Sequence, residues 1–114
     1  MQWFHAHIYF NNPRERELAM QLREQLQAQG FKTAQISRLV DRPIGPHPYP
    51  MFEADFQSSE FTQIITWLMY HRTELSILIH PVTEPEMENA PMDHTDRAMW
   101  LGESVPLNID VLRS

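Results

Sequence analysis

A two-residue period runs through residues 3–10, Trp-Phe-His-Ala-His-Ile-Tyr-Phe, and commits this segment to a β-strand. Phe4, Ala6, Ile8 and Phe10 fall on one face; Trp3, His5, His7 and Tyr9 fall on the other. The first row can lie under helices. The second carries two imidazoles side by side and needs a different neighbourhood.

The rest of the chain supplies the partners. Asn12 offers an N-cap and Pro13 suits the first helical position. Glu15 and Glu17 favour the positive end of that helix, Leu18, Ala19, Leu22 and Leu26 form its buried stripe, and Gly30 is placed to end it. Residues 31–40 read as a weaker strand with Ala34 and Ile36 on its apolar side. Residues 43–50, Pro-Ile-Gly-Pro-His-Pro-Tyr-Pro, hold four of the nine prolines and form a stiff loop around His47. Residues 51–57 alternate again, with Phe52, Ala54 and Phe56 opposed to Met51, Glu53 and Asp55. Ser58 or Ser59 is expected to cap a second helix, whose stripe is Phe61, Ile64, Ile65, Leu68 and Met69. Leu75 to His80 is a short buried strand, with Ile77 and Ile79 opposed to Leu78 and His80. After Pro81 the acidic, proline-containing chain through Pro91 reads as a surface loop. Asp93 to Trp100 reads as a short helical turn, and Leu101 to Ser114 as an unassigned extension.

This order, βαββαβ, is the split βαβ or ferredoxin-like pattern of the α+β class, in one domain over residues 1–114. Right-handed crossovers give a four-stranded antiparallel sheet with both helices on one face and the first strand between the third and fourth. Three separate parity readings then place His5, His7, Glu53, Asp55 and His80 together on the opposite face. Trp3, Tyr9 and Leu78 share that face, so a second subunit or the C-terminal segment is expected to cover part of it.

Composition narrows what this face can do. Nine Lys+Arg against fifteen Asp+Glu give a net charge of −6, which argues against nucleic-acid and anionic-membrane partners. The longest apolar stretch, Ile64 to Tyr70, is far below the ~20 residues of a membrane span. No basic segment precedes a leader-like run at Met1-Gln2-Trp3-Phe4-His5, so a cytoplasmic location is expected. With no cysteine and six histidines, any metal must be held by imidazole and carboxylate. On a strand, i and i+2 side chains lie about 6–7 Å apart on one face, close enough for His5 and His7 to converge on one ion. Topology brings His80 beside His5, and Glu53 is the carboxylate candidate. Fe(II) would take two imidazoles and one carboxylate with positions left open; Zn(II) or another divalent ion suits the same donors.

Plainer readings stand beside this one. A His-X-His pair on a strand needs no metal, and Glu53 and Asp55 on an open face can be simply solvated. His71, beside Arg72, suits a helix C-terminus. Trp67 and Tyr70 suit a helix flank, and Arg38 on an edge strand serves either solubility or substrate binding.

Phe4-His5-Ala6-His7-Ile8-Tyr9-Phe10, Gly45-Pro46-His47-Pro48, His80-Pro81, and Asp93-His94-Thr95 followed by Trp100-Leu101-Gly102 stand in an order that resembles the small DOPA 4,5-dioxygenase family of bacteria and fungi. The resemblance runs from Phe4 to about Leu107 and accounts for every histidine except His71. It implies a ferredoxin-like fold, often dimeric, and extradiol cleavage of a DOPA-like or other small catechol by ferrous iron and O2. His5, His7, His80 and Glu53 are then the ligand candidates, and His47 and His94 the acid and base. Tyr9 and Trp100 either stack on the substrate ring or belong to the core. The stretch Thr83-Glu84-Pro85-Glu86-Met87-Glu88 lacks the Thr-Gly turn of the family pattern, so a reshaped pocket and a substrate other than DOPA are open. Two rivals remain: a zinc-type enzyme or binder on the same face, and a metal-free dimeric ligand-binding domain.

Overall fold

A computed structural model describes residues 2–113. Strand β1 (Trp3–Tyr9) leads through Asn12 into helix α1 (Pro13–Ala28), and the Asn12 side chain accepts the backbone N–H of Glu15, as an N-cap should. Gly30, at φ 68°, turns the chain out of the helix. Strand β2 is only Gln35–Ile36, followed by a single bridge from Val40 to Met51. Strand β3 (Met51–Gln57), helix α2 (Phe61–His71) and strand β4 (Ile77–Val82) complete the ferredoxin-like order.

The sheet is antiparallel with order β2-β3-β1-β4 and a fifth strand, β5 (Met99–Leu101), added at the β4 edge. Four strands are expected from the sequence pattern; the fifth is three residues long, too short to show a period. Its Leu101, Trp100 and Met99 pair with Ile77, Leu78 and Ile79.

Two other expectations are corrected. Ser58–Glu60 form a 3-10 turn, and α2 starts at Phe61 without a side-chain cap. Glu60 instead accepts the backbone N–H groups of Lys32 and Thr33 and the Thr33 hydroxyl, which ties the α1–β2 loop to the start of α2. The stretch after Pro81 is not a plain loop. It forms helix α3 (Glu86–Asp93); the short turn expected over 93–100 is confined to the residues between that helix and β5, which takes in Met99 and Trp100.

The core lies between the sheet and helices α1 and α2. Ala6 and Ile8 from β1, Phe52, Ala54 and Phe56 from β3, and Ile77 and Ile79 from β4 meet Leu22 and Leu26 of α1 and Ile64, Ile65 and Leu68 of α2. Met69 leaves the expected stripe and is 54% exposed. At 100° per residue it lies about 80° around the helix from Phe61, past the edge of the apolar face. On the opposite sheet face, the chain's own C-terminal part supplies cover. Val105 joins Tyr9, Met51 and Leu78 in a second cluster, with Trp100 and Leu107 packed against it. Among the described residues, no helix is long and apolar enough to cross a membrane.

A candidate metal centre on the covered sheet face

Antiparallel pairing sets His5 opposite both Asp55 and His80, and His7 opposite Glu53. The covered half of this face is therefore built from the three central strands. His47 arrives from the proline loop, where Gly45 at φ 56° and Pro46 form a tight turn closed by mutual backbone hydrogen bonds between Ile44 and His47. His94 arrives from the end of α3. His7, His47 and His80 are buried, and His5 and His94 are partly so.

Five imidazoles meet around a cavity of about 210 Å³, which Glu53, Glu86 and Leu112 also line. They form two groups that share His7: His5, His7 and His80, and His7, His47 and His94. Within each group the ligand-capable atoms lie within 4.8 Å of one another. A third group is His5, Glu53 and Asp55. His7 Nε2 and His80 Nε2 are 3.0 Å apart.

What the far side of each ring faces decides what its cavity side offers. His80 Nδ1 donates to the Pro81 carbonyl at 2.7 Å, and His94 Nδ1 donates to the Ala90 carbonyl at 2.7 Å. Both rings therefore present an unprotonated Nε2. His7 Nδ1 lies 3.4 Å from Glu53 Oε1 and 3.4 Å from Met51 Sδ, on the side of the ring away from His80. At 3.0 Å the two Nε2 atoms are within hydrogen-bond distance, and an ion bound between these rings would take the place of the proton they share. Outer hydrogen bonds that orient imidazole ligands are a regular feature of metal sites. The residues present thus fit a divalent metal.

The electrostatics agree. Burial, and then the neighbouring imidazoles of His47, His80, His5 and His94, hold His7 well below its ordinary pKa. Burial followed by His94 and His5 brings His47 down to about 4, and burial followed by His94 brings His80 down to about 3. His94 is also lowered, chiefly by burial. Neutral imidazoles are what a metal requires. Burial, and then the adjacent Asp55 carboxylate, push Glu53 up to about 8. One Asp55 carboxylate oxygen is buried without a hydrogen-bond partner, with His5 Nε2 3.5 Å away.

The profile of the Dopa 4,5-dioxygenase family matches residues 4–111. This chain belongs to that family. It is 37% identical to the DOPA 4,5-dioxygenase of Amanita muscaria over 114 residues, which is 95% of this chain and 48% of the relative. It is likewise 37% identical over 116 residues to an uncharacterized 21.2 kDa protein of Botryotinia fuckeliana, covering 96% of this chain and 63% of that one. The chain therefore spans about half to under two thirds of the length of these curated relatives. The crystal structure of a "putative dioxygenase" from Nostoc punctiforme superposes with a TM-score of 0.89 at 41% identity, covering 99% of this chain and 92% of that one.

All four residues expected as ligands in this family member, His5, His7, His80 and Glu53, border the cavity, and so do His47 and His94. The three expected to bind substrate do not line it. Tyr9 is buried, and its ring stacks on Trp100 with centroids 5.8 Å apart. The pairing of Trp100 with Leu78 sets it among the apolar side chains, two residues along β4 from His80. Arg38 lines a separate depression with Arg16, Arg23 and Asp41, because β2 is at the far edge of the sheet. His71 stacks on Trp67 and hydrogen-bonds its carbonyl, a local role on α2.

Two contributors escape a reading by sequence. One is the hydrogen bond from Tyr9 to His47 discussed below. The other is Asp93, 2% exposed, whose carboxylate accepts the Thr83 N–H at 2.9 Å, the Thr83 hydroxyl and the Arg97 guanidinium. Asp93 thereby fastens the end of α3, and so His94, to the end of β4. The Asp-His-Thr run was its only signal. Asp93→Ala leaves these donors without their acceptor and is expected to cost about 1–3 kcal/mol. A lowered denaturation midpoint, with amide exchange accelerated in α3 but not in α1, would show it.

Proposed function

We propose that this protein is a non-haem Fe(II) extradiol dioxygenase that opens the ring of a DOPA-like or other small catechol with O2. The observation that carries the reading is the convergence of five imidazoles and Glu53 on one cavity, with His7 and His80 poised 3.0 Å apart, in a chain of this family. His5, His7, His80 and Glu53 would hold the metal. Bound ferrous iron would supply a Lewis-acidic, redox-active centre for the catechol and dioxygen.

The chain's own residues do the rest. The Pro81 carbonyl orients His80, and burial keeps the imidazoles neutral and ready to ligate. His47 and His94 stand on the other side of His7, within reach of the catechol hydroxyls, where imidazole can hold a substrate oxygen or move its proton near neutral pH. Leu112 and α3 roof the cavity and limit the entry of water. Glu86, from the segment that departs from the family pattern, adds a carboxylate to the cavity wall, so the substrate side chain need not match that of DOPA. A homodimer belongs to the same reading through the family resemblance, and we place the protein in the cytoplasm.

Anaerobic loading with Fe(II), followed by air and a panel of catechols, tests the proposal. Oxygen uptake matched by a yellow ring-cleavage product supports it; neither from any catechol overturns it. Stoichiometric zinc in protein purified without added metal, with no iron-dependent oxygen uptake, would instead favour a zinc enzyme or binder on these donors.

A further inference from the structure

The two imidazoles that face His7 from the roof, His47 and His94, are turned opposite ways by what lies behind them. His94 Nδ1 gives its proton to the Ala90 carbonyl, so its Nε2 is a bare acceptor. Among the described residues, no carbonyl accepts a hydrogen bond from the His47 ring. Its Nδ1 lies 2.7 Å from the hydroxyl of Tyr9. Tyr9 is 2% exposed, and among the described residues His47 is the only hydrogen-bond partner of its hydroxyl. A phenol at neutral pH carries one proton. If His47 Nδ1 were the donor, that proton would be left buried without an acceptor, an arrangement folded proteins avoid. The hydroxyl therefore donates, Nδ1 accepts, and the imidazole proton is left on Nε2.

We infer that Tyr9 is a positioning residue that locks His47 as an Nε2–H donor toward the bound substrate, leaving His94 as the proton acceptor. This rests on the proposed dioxygenase reading and divides the acid and base roles within it. The proton of a catechol hydroxyl passes to His94 Nε2, giving an imidazolium whose Nδ1–H stays on the Ala90 carbonyl, and the same nitrogen can later return it. His47 transfers nothing. It holds a substrate oxygen by a fixed hydrogen bond, and with its proton on Nε2 it is not a metal ligand. Tyr9 acts through His47 and does not touch the substrate ring, which explains why a buried tyrosine is stationed behind the cavity instead of within it.

Histidine ¹⁵N correlation spectra of the whole protein, metal-free and loaded with diamagnetic Zn(II), read this directly. His47 is expected as the Nε2–H tautomer and His94 as the Nδ1–H tautomer, with His47 Nε2 still protonated after zinc binds. In Tyr9→Phe, which keeps the ring, His47 should lose its tautomer preference while His94 and the bound-metal stoichiometry stay unchanged. With iron and a catechol, Tyr9→Phe should lower kcat about tenfold or more. His47→Gln, which retains an N–H donor, should keep more of kcat than His47→Ala. A His47 protonated on Nδ1, a zinc-shifted His47 Nε2, or an unchanged His47 tautomer in Tyr9→Phe would overturn the inference. If the tautomers and their response to Tyr9→Phe are as stated but no catechol drives oxygen uptake, the dioxygenase reading fails and the assignment of the His47 proton stands.

Discussion

His80→Ala is expected to weaken metal binding by at least about 100-fold and to remove metal-dependent oxygen uptake, while the protein remains folded. Altering even an outer partner of a metal ligand typically costs 10- to 100-fold in affinity, and His80 is proposed as a ligand itself. Its Nε2 is the atom 3.0 Å from His7 Nε2, and its ring is pre-aimed by the Pro81 carbonyl. The ladder between β4 and β1 is made by backbone groups and survives the truncation. The side chain also points away from the core shared with α1 and α2, so no apolar cavity opens there. Metal analysis after equilibration with Fe(II) or Zn(II), with circular dichroism as the check on folding, gives the comparison. His71→Ala is the control: that ring stacks on Trp67 at 4.2 Å, and its loss should leave the metal content unchanged. A folded His80→Ala protein that retains a full equivalent of tightly held metal would remove His80 from the ligand set.

The part of this site that the sequence reveals is the part governed by strand parity. His5 and His7 share a face because a strand alternates; Glu53 and Asp55 share one for the same reason; and βαββαβ topology with right-handed crossovers admits few ways to order the strands. His80 then falls opposite His5 without further information. His47 and His94 follow no such rule. They lie on a proline turn and at a helix end, where periodicity carries no signal, and only the short motifs around them mark them out. The Tyr9–His47 bond spans 38 positions and joins a strand to a loop, so no local pattern could disclose it. Parity indicated the face of Tyr9 but not its purpose.

Helix α3 shows the opposite failure. Glu86-Met87-Glu88-Asn89-Ala90-Pro91 looks like a loop because it is acidic and contains a proline well inside a helix, where its ring and missing N–H usually disfavour one. Tertiary anchoring overrides that preference. The buried Asp93 carboxylate is satisfied by Thr83 and Arg97, and the C-terminal 3-10 turn at Ile109–Arg113 packs on the same helix. Strand β5 is held in the same manner, through pairing with β4. Both elements depend on contacts made after the four-stranded core exists, which is why the core and the need for a cover are readable in the sequence while α3 and β5 are not.

The metal-free protein is expected to lose several kcal/mol of stability as the pH falls from 6.5 to about 4.5. His7, His47, His80 and His94 all have folded-state pKa values below that of an unfolded-chain histidine, near 6.5, with His47 at about 4 and His80 at about 3. Below pH 6.5 the unfolded chain therefore takes up protons that the native cluster refuses. Stability present above that pH is lost as it falls, by about 1.4 kcal/mol per pH unit for each fully developed proton difference. Glu53 works in the other direction. Its pKa is raised to about 8, so the stability it contributes is present below its unfolded value of 4.5 and declines as the pH rises to about 8. Between pH 4.5 and 6.5 it offsets one histidine and leaves the others in excess. Small domains are stable by only about 5–15 kcal/mol in total, so such a slope is enough to bring the metal-free protein close to unfolding. Urea denaturation at pH 7, 6 and 5 should show the midpoint falling steeply with acid. His94→Gln should flatten the slope and Glu53→Gln should steepen it. A midpoint that does not change between pH 7 and 5 would mean that the folded cluster takes up protons as readily as the unfolded chain, and the depressed imidazole pKa values would have to be abandoned.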